Sequence, residues 1–246
     1  MILNGNGEKP PLVVSILVPA HDMCATMFAY DLANLNSYTI ANITELGDTV
    51  TVGLTFCPGT YVHAARWDLL LAALEQGAHY ICWIDSDMRF PRDALMRLIK
   101  RDVDVVGINY CTRGLPPRYV AIKEVGRVGS NLETTEASTG LEEVDAMGFG
   151  LVLMKTRPLL NLPRDGKPWF WFEWMEERKN MMGEDVYFFK LMREAGVKLY
   201  IDHDLSKECR HIGSFEYGLH HVEAWREVDA DKPPTEEEVA KLVVVP

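Results

Sequence analysis

The stretch "YICWIDSDMRFPRDALMRLI", residues 80–99, decides how the chain folds. Five apolar residues, Tyr80 to Ile84, run straight into two acids, Asp85 and Asp87, with Ser86 between them. An apolar run of this length reads as a strand buried on both faces. A helix is predicted from about Arg92 to Lys100, with Pro91 suited to its first turn because the missing N–H costs nothing there. Two carboxylates about 5 Å apart repel by about 3 kcal/mol at an effective dielectric near 20. The end of this strand therefore needs solvent, a hydrogen-bond donor or a cation. Capping of the helix near Pro91 is one reading of the acids. The other is a divalent cation, Mg²⁺ or Mn²⁺, that itself holds a diphosphate, since such ions combine one or two carboxylates with phosphate oxygens and water.

Outward from this stretch the pattern repeats. Leu12 to Val18 is a second apolar run, closed by Pro19. Residues 23–40 have helical spacing, 49–57 alternate and are β-branched, and 61–77 form a helical pattern stopped by Gly77. Residues 103–110 read as a further strand. Strand and helix thus alternate through the first 110 residues, which predicts an α/β fold with a mostly parallel, doubly wound sheet and helices on both faces. In such sheets ligands bind beyond the carboxyl ends of the strands, where strand order reverses. Asp85 and Asp87 are at such an end.

The second half is less regular. Residues 111–143 read as a long polar stretch with few core candidates, of the kind that is functional when it lies inside a compact domain. Strands are expected at 144–156 and 197–204 and a helix at 186–196. The expected organisation is one domain over 1–222, in two halves of about 12–110 and about 111–222. A C-terminal tail, 223–246, would carry a short helix opened by Thr235 and Glu238.

The formal net charge of −11 and the lack of a long basic block remove the footprint of a dedicated nucleic-acid binder. Five scattered cysteines form no CxxC pair, and no apolar stretch reaches the length of a membrane span. With no signal-peptide pattern at "MILNGNGEKPP", these features read as a cytoplasmic chain.

Several residues carry two readings each. Glu184 and Asp185 stand in a helix's first turn, where acids are favoured by the macrodipole, but they are also a candidate acid–base pair. Arg66 could pair with any acid, and His211 in "CRHIG" is an ordinary loop residue or a softer metal ligand. The run "WFWFEW", 169–174, cannot all face one core, so some rings must reach a cleft or surface where they could stack on a sugar or base. Gly148 and Gly150 read as places where a ligand approaches a strand closely. Arg113 and Arg118 are candidate phosphate contacts.

The order "SILVPAHD", "HAARWDLLLAALEQGAHYICWIDSDMRF", "GFGLVLMK" and "GEDVYFFKLMREAG" resembles nucleotide-sugar glycosyltransferases of the GT-A fold, broadly the family-2-like group, across residues 12–213. The resemblance implies transfer of a sugar from a nucleoside-diphosphate sugar, a UDP-sugar by family precedent, to an acceptor hydroxyl with inversion, assisted by Mn²⁺ or Mg²⁺. It places Pro19, Ala20 and His21 at the nucleotide-base pocket, Arg66 close to the diphosphate or the aspartates, and Asp85 near the ribose or metal, and it makes about 12–110 the nucleotide-binding half and about 111–222 the acceptor half of a catalytic domain. Asp87 and His211 become metal ligands, and Asp185, with Glu184 beside it, the base facing the acceptor. The chain departs from the group's pattern at Trp67, where an Asn usually follows the Arg, and lacks the usual Asp after the second strand. The acceptor stays open among a small molecule, a glycan, a protein and a modified nucleic-acid base. A haloacid-dehalogenase-type phosphotransferase or phosphatase, a sugar nucleotidyltransferase and a non-catalytic nucleotide-binding module are the rival classes. The first normally carries its Asp-x-Asp after strand one, and the second wants a glycine-rich loop that "VPAHDMCA" does not supply.

Overall fold

A computed structural model describes residues 12–46, 50–59, 61–124, 131–176, 179–226 and 235. Its centre is a seven-stranded sheet. The first half of the chain supplies β1 (Leu12–Ala20), α1 (Thr26–Ala41), β2 (Val50–Pro58), α2 (Val62–Glu75), β3 (Tyr80–Ile84), β4 (Met88–Arg89), α3 (Ala94–Lys100) and β5 (Val105–Gly107). The second half adds β6 (Leu141–Val144), β7 (Leu151–Lys155), β8 (Glu173–Met175), β9 (Asn180–Met182), α4 (Glu184–Glu194) and β10 (Leu199–Asp202). After these come α5 (His203–Ser206), β11 (Arg210–Ile212), β12 (Glu216–Tyr217) and α6 (Leu219–Arg226).

The sheet order is β2-β1-β3-β7-β5-β10-β6. β1 pairs in parallel with both β2 and β3, and β5 with β10, whereas β7 runs antiparallel between β3 and β5 and β6 antiparallel beside β10. The sheet is therefore mostly parallel, as expected. β2 and β3 flank β1 on opposite sides, so strand order reverses at β1 and opens a crevice at its carboxyl end.

Alternation along the strands explains why helices cover both faces. Ile81 and Trp83 of β3 and Leu17 of β1 point into one core, with Leu69 and Leu70 of α2 and Phe188 and Phe189 of α4. Cys82 and Ile84, with Val14, Ile16 and Val18, point the other way, onto Phe28, Leu32 and Leu35 of α1 and Leu95 and Leu98 of α3. β1 and β3 are apolar on both sides because each side meets a helix.

The stretch 111–143 departs from its polar reading. Cys111, Tyr119, Ala121 and Leu132 are buried, and β6 occupies its end. Asn109 holds it down: its Nδ2 donates to Leu132 O (2.7 Å) and Thr134 Oγ1 (3.0 Å), and its Oδ1 accepts Ala121 N–H (3.1 Å). The strand expected over 197–204 ends early, because Asp202 caps α5 through Leu205 N–H (3.0 Å). At the other end, α6 straddles residue 222, and the helix expected near Thr235–Glu238 lies outside the described residues.

The aromatic run divides between core and surface. Phe170 is fully buried, stacked on Phe188 at 4.7 Å, while Phe172 is 38% exposed and meets only His63 edge-on at 5.4 Å among the ring contacts. Phe170→Ala is expected to cost about 3–5 kcal/mol in urea denaturation. Phe172→Ala should cost less than about 1 kcal/mol in the same assay.

Candidate functional site

The carboxyl ends of β1, β2, β3 and β5 open onto a cleft of about 420 Å³. Pro19, Ala20 and His21 form its wall after β1, Gly59 follows β2, Asp85 to Asp87 follow β3, and Tyr110 follows β5. The start of α2, with Val62, Ala65 and Arg66, and the first residue of α4, Glu184, also line it, while Arg113 comes from the chain after β5 and His211 from β11. The residues singled out in the sequence thus converge, although His211 is more than a hundred positions from Asp87.

A very short pairing makes that convergence. β4 begins directly after Asp87 and runs antiparallel to β11, with Met88 opposite His211. Ile212 N–H donates to Asp87 O at 2.7 Å, which fastens the acidic turn to "RHI". His211 Nδ1 donates to Cys111 O at 2.9 Å. A carbonyl can only accept, so Nδ1 carries the proton and Nε2 is turned to Asp87 Oδ2, 3.5 Å away. In the neutral ring, an imidazole lone pair and a carboxylate then face one another, an arrangement that needs a proton or a cation between them. Arg113 Nη1 reaches the same Asp87 oxygen at 2.9 Å. Burial pushes the Asp87 carboxyl up, but the hydrogen bond and charge of His211 and the charge of Arg113 outweigh it and hold it below the usual range.

Asp85 has a different partner. Arg66 Nη2 donates to Asp85 Oδ1 at 2.8 Å, and Arg66 Nε lies 3.5 Å from Glu184 Oε1. Arg66 is 3% exposed; its guanidinium sits 4.4 Å from the Phe149 ring centre and 5.8 Å from that of Trp83. Burial disfavours the charge of Arg66, yet the carboxylates of Asp85 and Glu184 overcome this. Its Nη1 is buried without a hydrogen-bond partner among the described residues.

Neither aspartate caps α3, which begins after Asp93 with no side-chain cap. The first-turn reading of Asp185 holds in part, since its Oδ1 accepts Val186 N–H at 2.7 Å. A Cβ at Gly183 would come within 2.7 Å of that same oxygen, so glycine leaves the carboxyl its place. Asp185 itself does not line the cleft, but it interacts electrostatically with Arg66, Asp85 and Tyr110. Burial, then the neighbouring Glu184 charge, lift its carboxyl from 3.8 to about 6.

Two readings from sequence are corrected. Gly148 and Gly150 do not make room for a ligand: a Cβ there would stand 2.2 Å from the Tyr110 hydroxyl or 2.7 Å from its ring. They make room for Tyr110, whose ring also meets His211 edge-on at 5.2 Å. Arg118 is exposed and outside the cleft, its N–H on Thr112 Oγ1 (3.1 Å), so only Arg113 of the two arginines reaches the site. Tyr110 was missed, although its place at the end of a predicted strand was a usable signal. Among the described residues, no three His, Cys, Asp or Glu side chains form a group that could hold a metal ion. The chain offers Asp87 and His211 as a pair, and the remaining ligands would have to be phosphate oxygens and water.

No family model and no curated protein matches the chain. Among solved structures, A197 from STIV aligns with 85% of this chain and 92% of its own at 16% identity, with a TM-score of 0.54. The likeness is one of fold. The catalytic domain of Drosophila beta1,4galactosyltransferase 7, in complex with xylobiose, aligns with 94% of this chain and 79% of its own, at 14% identity and a TM-score of 0.42. A nucleoside-diphosphate-sugar pyrophosphorylase from Vibrio cholerae aligns with 93% and 99% at 12% identity and a TM-score of 0.33. Both of these scores are too low to bear on function. Among the described residues, no helix is long and apolar enough to cross a membrane.

The raised Asp185 carboxyl has a consequence for stability. The fold favours its protonated form, so its contribution is most favourable below the unfolded value and is lost as pH rises through about 6. Above that, the buried charge costs on the order of 1–3 kcal/mol. Asp185→Asn should therefore be more stable than the parent chain at neutral pH, by that order, and the difference should vanish near pH 4. Urea denaturation at both pH values checks this; an unchanged difference at acid pH would exclude the carboxyl's titration as its source.

Proposed function

We propose that the chain is a glycosyltransferase of GT-A type that moves a sugar from a nucleoside-diphosphate sugar to an acceptor hydroxyl. One observation carries this reading: an acidic turn at the switch point of the sheet, fastened to a histidine, shares its charge network with a carboxyl poised to exchange protons near neutral pH.

The charges around the cleft say what would have to enter with the donor. Asp85, Asp87, Glu184 and Asp185 face two guanidiniums, Arg66 and Arg113. A diphosphate adds further negative charge and is unfavourable here without a cation. Asp87 and His211 would hold Mn²⁺ or Mg²⁺, with Asp85 kept beside them by Arg66. When bound, the ion would neutralise charge on the leaving diphosphate. Arg113 would exchange its contact with Asp87 for a phosphate oxygen. Pro19, Ala20 and His21 would border the nucleotide base.

Asp185 would take the acceptor's proton as the hydroxyl attacks from the far side of the anomeric carbon, which inverts the centre. A carboxyl near 6 suits this task, ionised enough to accept a proton and basic enough to hold it. Glu184, tied to Arg66, would help by its charge to keep that carboxyl raised. The exposed rings of Trp171, Phe172 and Trp174 would serve an acceptor with a flat apolar face, such as a glycan. The haloacid-dehalogenase alternative is not favoured, because its nucleophile would be Asp85, which lies after the third strand and is held by Arg66.

Thermal shift with UDP, GDP, CDP and dTDP, each with and without Mn²⁺, tests the reading. The melting temperature should rise only when metal and one nucleotide are both present. Asp87→Ala should abolish that rise, and Asp185→Asn should keep it while lowering transfer by about 10²-fold or more. Stabilisation by a nucleotide without metal, or by none, would sink the donor site. Full transfer activity in Asp185→Asn would sink the base.

A further inference from the structure

A second cavity, of about 490 Å³, lies on the outer side of α2 and shares no residue with the first. One wall is a stripe of α2, with Trp67, Leu71 and Leu74 spaced by four and three residues and therefore on one side of the helix. The other wall is the loop 163–169. Its form is fixed: Trp169 Nε1 donates to Pro163 O at 2.7 Å across the ends of the loop, and Gly166 makes the turn at φ +86°. Trp67 and Trp169 meet edge-on at 5.7 Å and form the floor. Leu71, 41% exposed, stands at the mouth.

The rim is cationic. Arg164 and Lys167 are both exposed, and they have no ion pair among the described residues. Asp165, the acid between them, turns its carboxylate onto Lys167 N–H at 3.1 Å instead of onto either side chain. In a chain of net charge −11, this places two cations without an ion pair among the described residues at the mouth of an apolar cavity. Their aliphatic stems complete the walls while the charged heads stay in water. A concave, apolar, pre-formed cavity of this volume suits one small molecule and not a flat surface.

We propose that this cavity binds a small amphipathic anion, with an apolar body between Trp67, Leu71 and Trp169 and a carboxylate, phosphate or sulfate head at Arg164 and Lys167. The site is independent of the cleft at the strand ends. It would let an apolar, charged metabolite bind whether or not the cleft is filled.

Isothermal titration calorimetry with decanoate, decyl phosphate, decanol and inorganic phosphate tests the proposal on the full chain. Decanoate and decyl phosphate should bind, with decanol and inorganic phosphate each weaker by about tenfold or more, the worth of two exposed charge contacts or of the apolar burial. The exposed double variant Arg164→Glu, Lys167→Glu should remove the preference for the anions over decanol. Leu71→Glu, which sets a charge at the mouth, should weaken all the decyl compounds. The nucleotide-and-metal thermal shift should be the same in these variants as in the parent chain, which separates this site from the cleft. Equal binding of decanol and decanoate, inorganic phosphate binding as tightly as decyl phosphate, or binding only to anionic vesicles and to no free amphiphile would each overturn the proposal. So would anion binding that survives the double variant unchanged.

Discussion

One buried guanidinium holds the cleft together. Arg66 enters from the second turn of α2 and meets Asp85 at the end of β3 and Glu184 at the start of α4, residues 19 and 118 positions away. Each acid would repel the others if the cation were absent. Phe149 and Trp83 roof the guanidinium and exclude water, which strengthens its attraction to the carboxylates as it raises the cost of leaving any of them alone. Breaking a buried pair of this kind costs about 3–5 kcal/mol, because the partner's charge stays behind. Lysine could not replace it, since a single ammonium does not present two directed edges to two carboxylates.

The two aspartates that share one turn therefore live under different rules. Asp85 is fixed by a buried cation. Asp87 is held by Arg113, whose side chain is 52% exposed, and an exposed ion pair is worth about 0–1 kcal/mol. That contact can be exchanged at little cost, whereas the Arg66 contact cannot. The β4–β11 pairing keeps His211 in place during any such exchange, because its hold is through backbone and through Nδ1, with Nε2 facing Asp87. A rigid half and an exchangeable half in one cleft suit a site that must admit and release a charged ligand.

The sequence made the elements of the first half legible because apolar period and element length agree there, from Leu12 to Gly107. It did not show that β7 runs antiparallel: a run such as "LVLMK" reports burial on both faces and carries no direction. β4 and β11 span two and three residues, too short for any period, yet their pairing is what brings His211 to Asp87. Residues 111–143 looked polar because their buried members are irregularly spaced and are held by side-chain amide contacts from Asn109. The candidate site residues could be read as types at strand and helix ends. Which cation each acid would meet could not, since Arg66 and Arg113 look alike in sequence and differ in burial. Gly148 and Gly150 were misread for a related reason: a missing side chain shows that something approaches, and here it was a tyrosine of the same chain.

The aromatic run joins these parts mechanically. Trp169 forms the wall of the outer cavity, and Phe170 is locked in the core against Phe188 of α4. In the next two residues, Trp171 and Phe172, the chain is exposed, and β8 then places Trp174 opposite Met181 of β9, both about half exposed. Lys190 Nζ binds Glu173 Oε2 at 2.8 Å, so α4 holds the hairpin at its start as well as at its end. β9 runs directly into Gly183 and Asp185. The exposed rings and the raised carboxyl thus lie along one stretch of chain, anchored in the core at Phe170 and to the helix at Lys190. A ligand stacked on these rings would thereby be held within a short run of chain of Asp185, so that positioning and proton transfer would draw on neighbouring parts of the same segment.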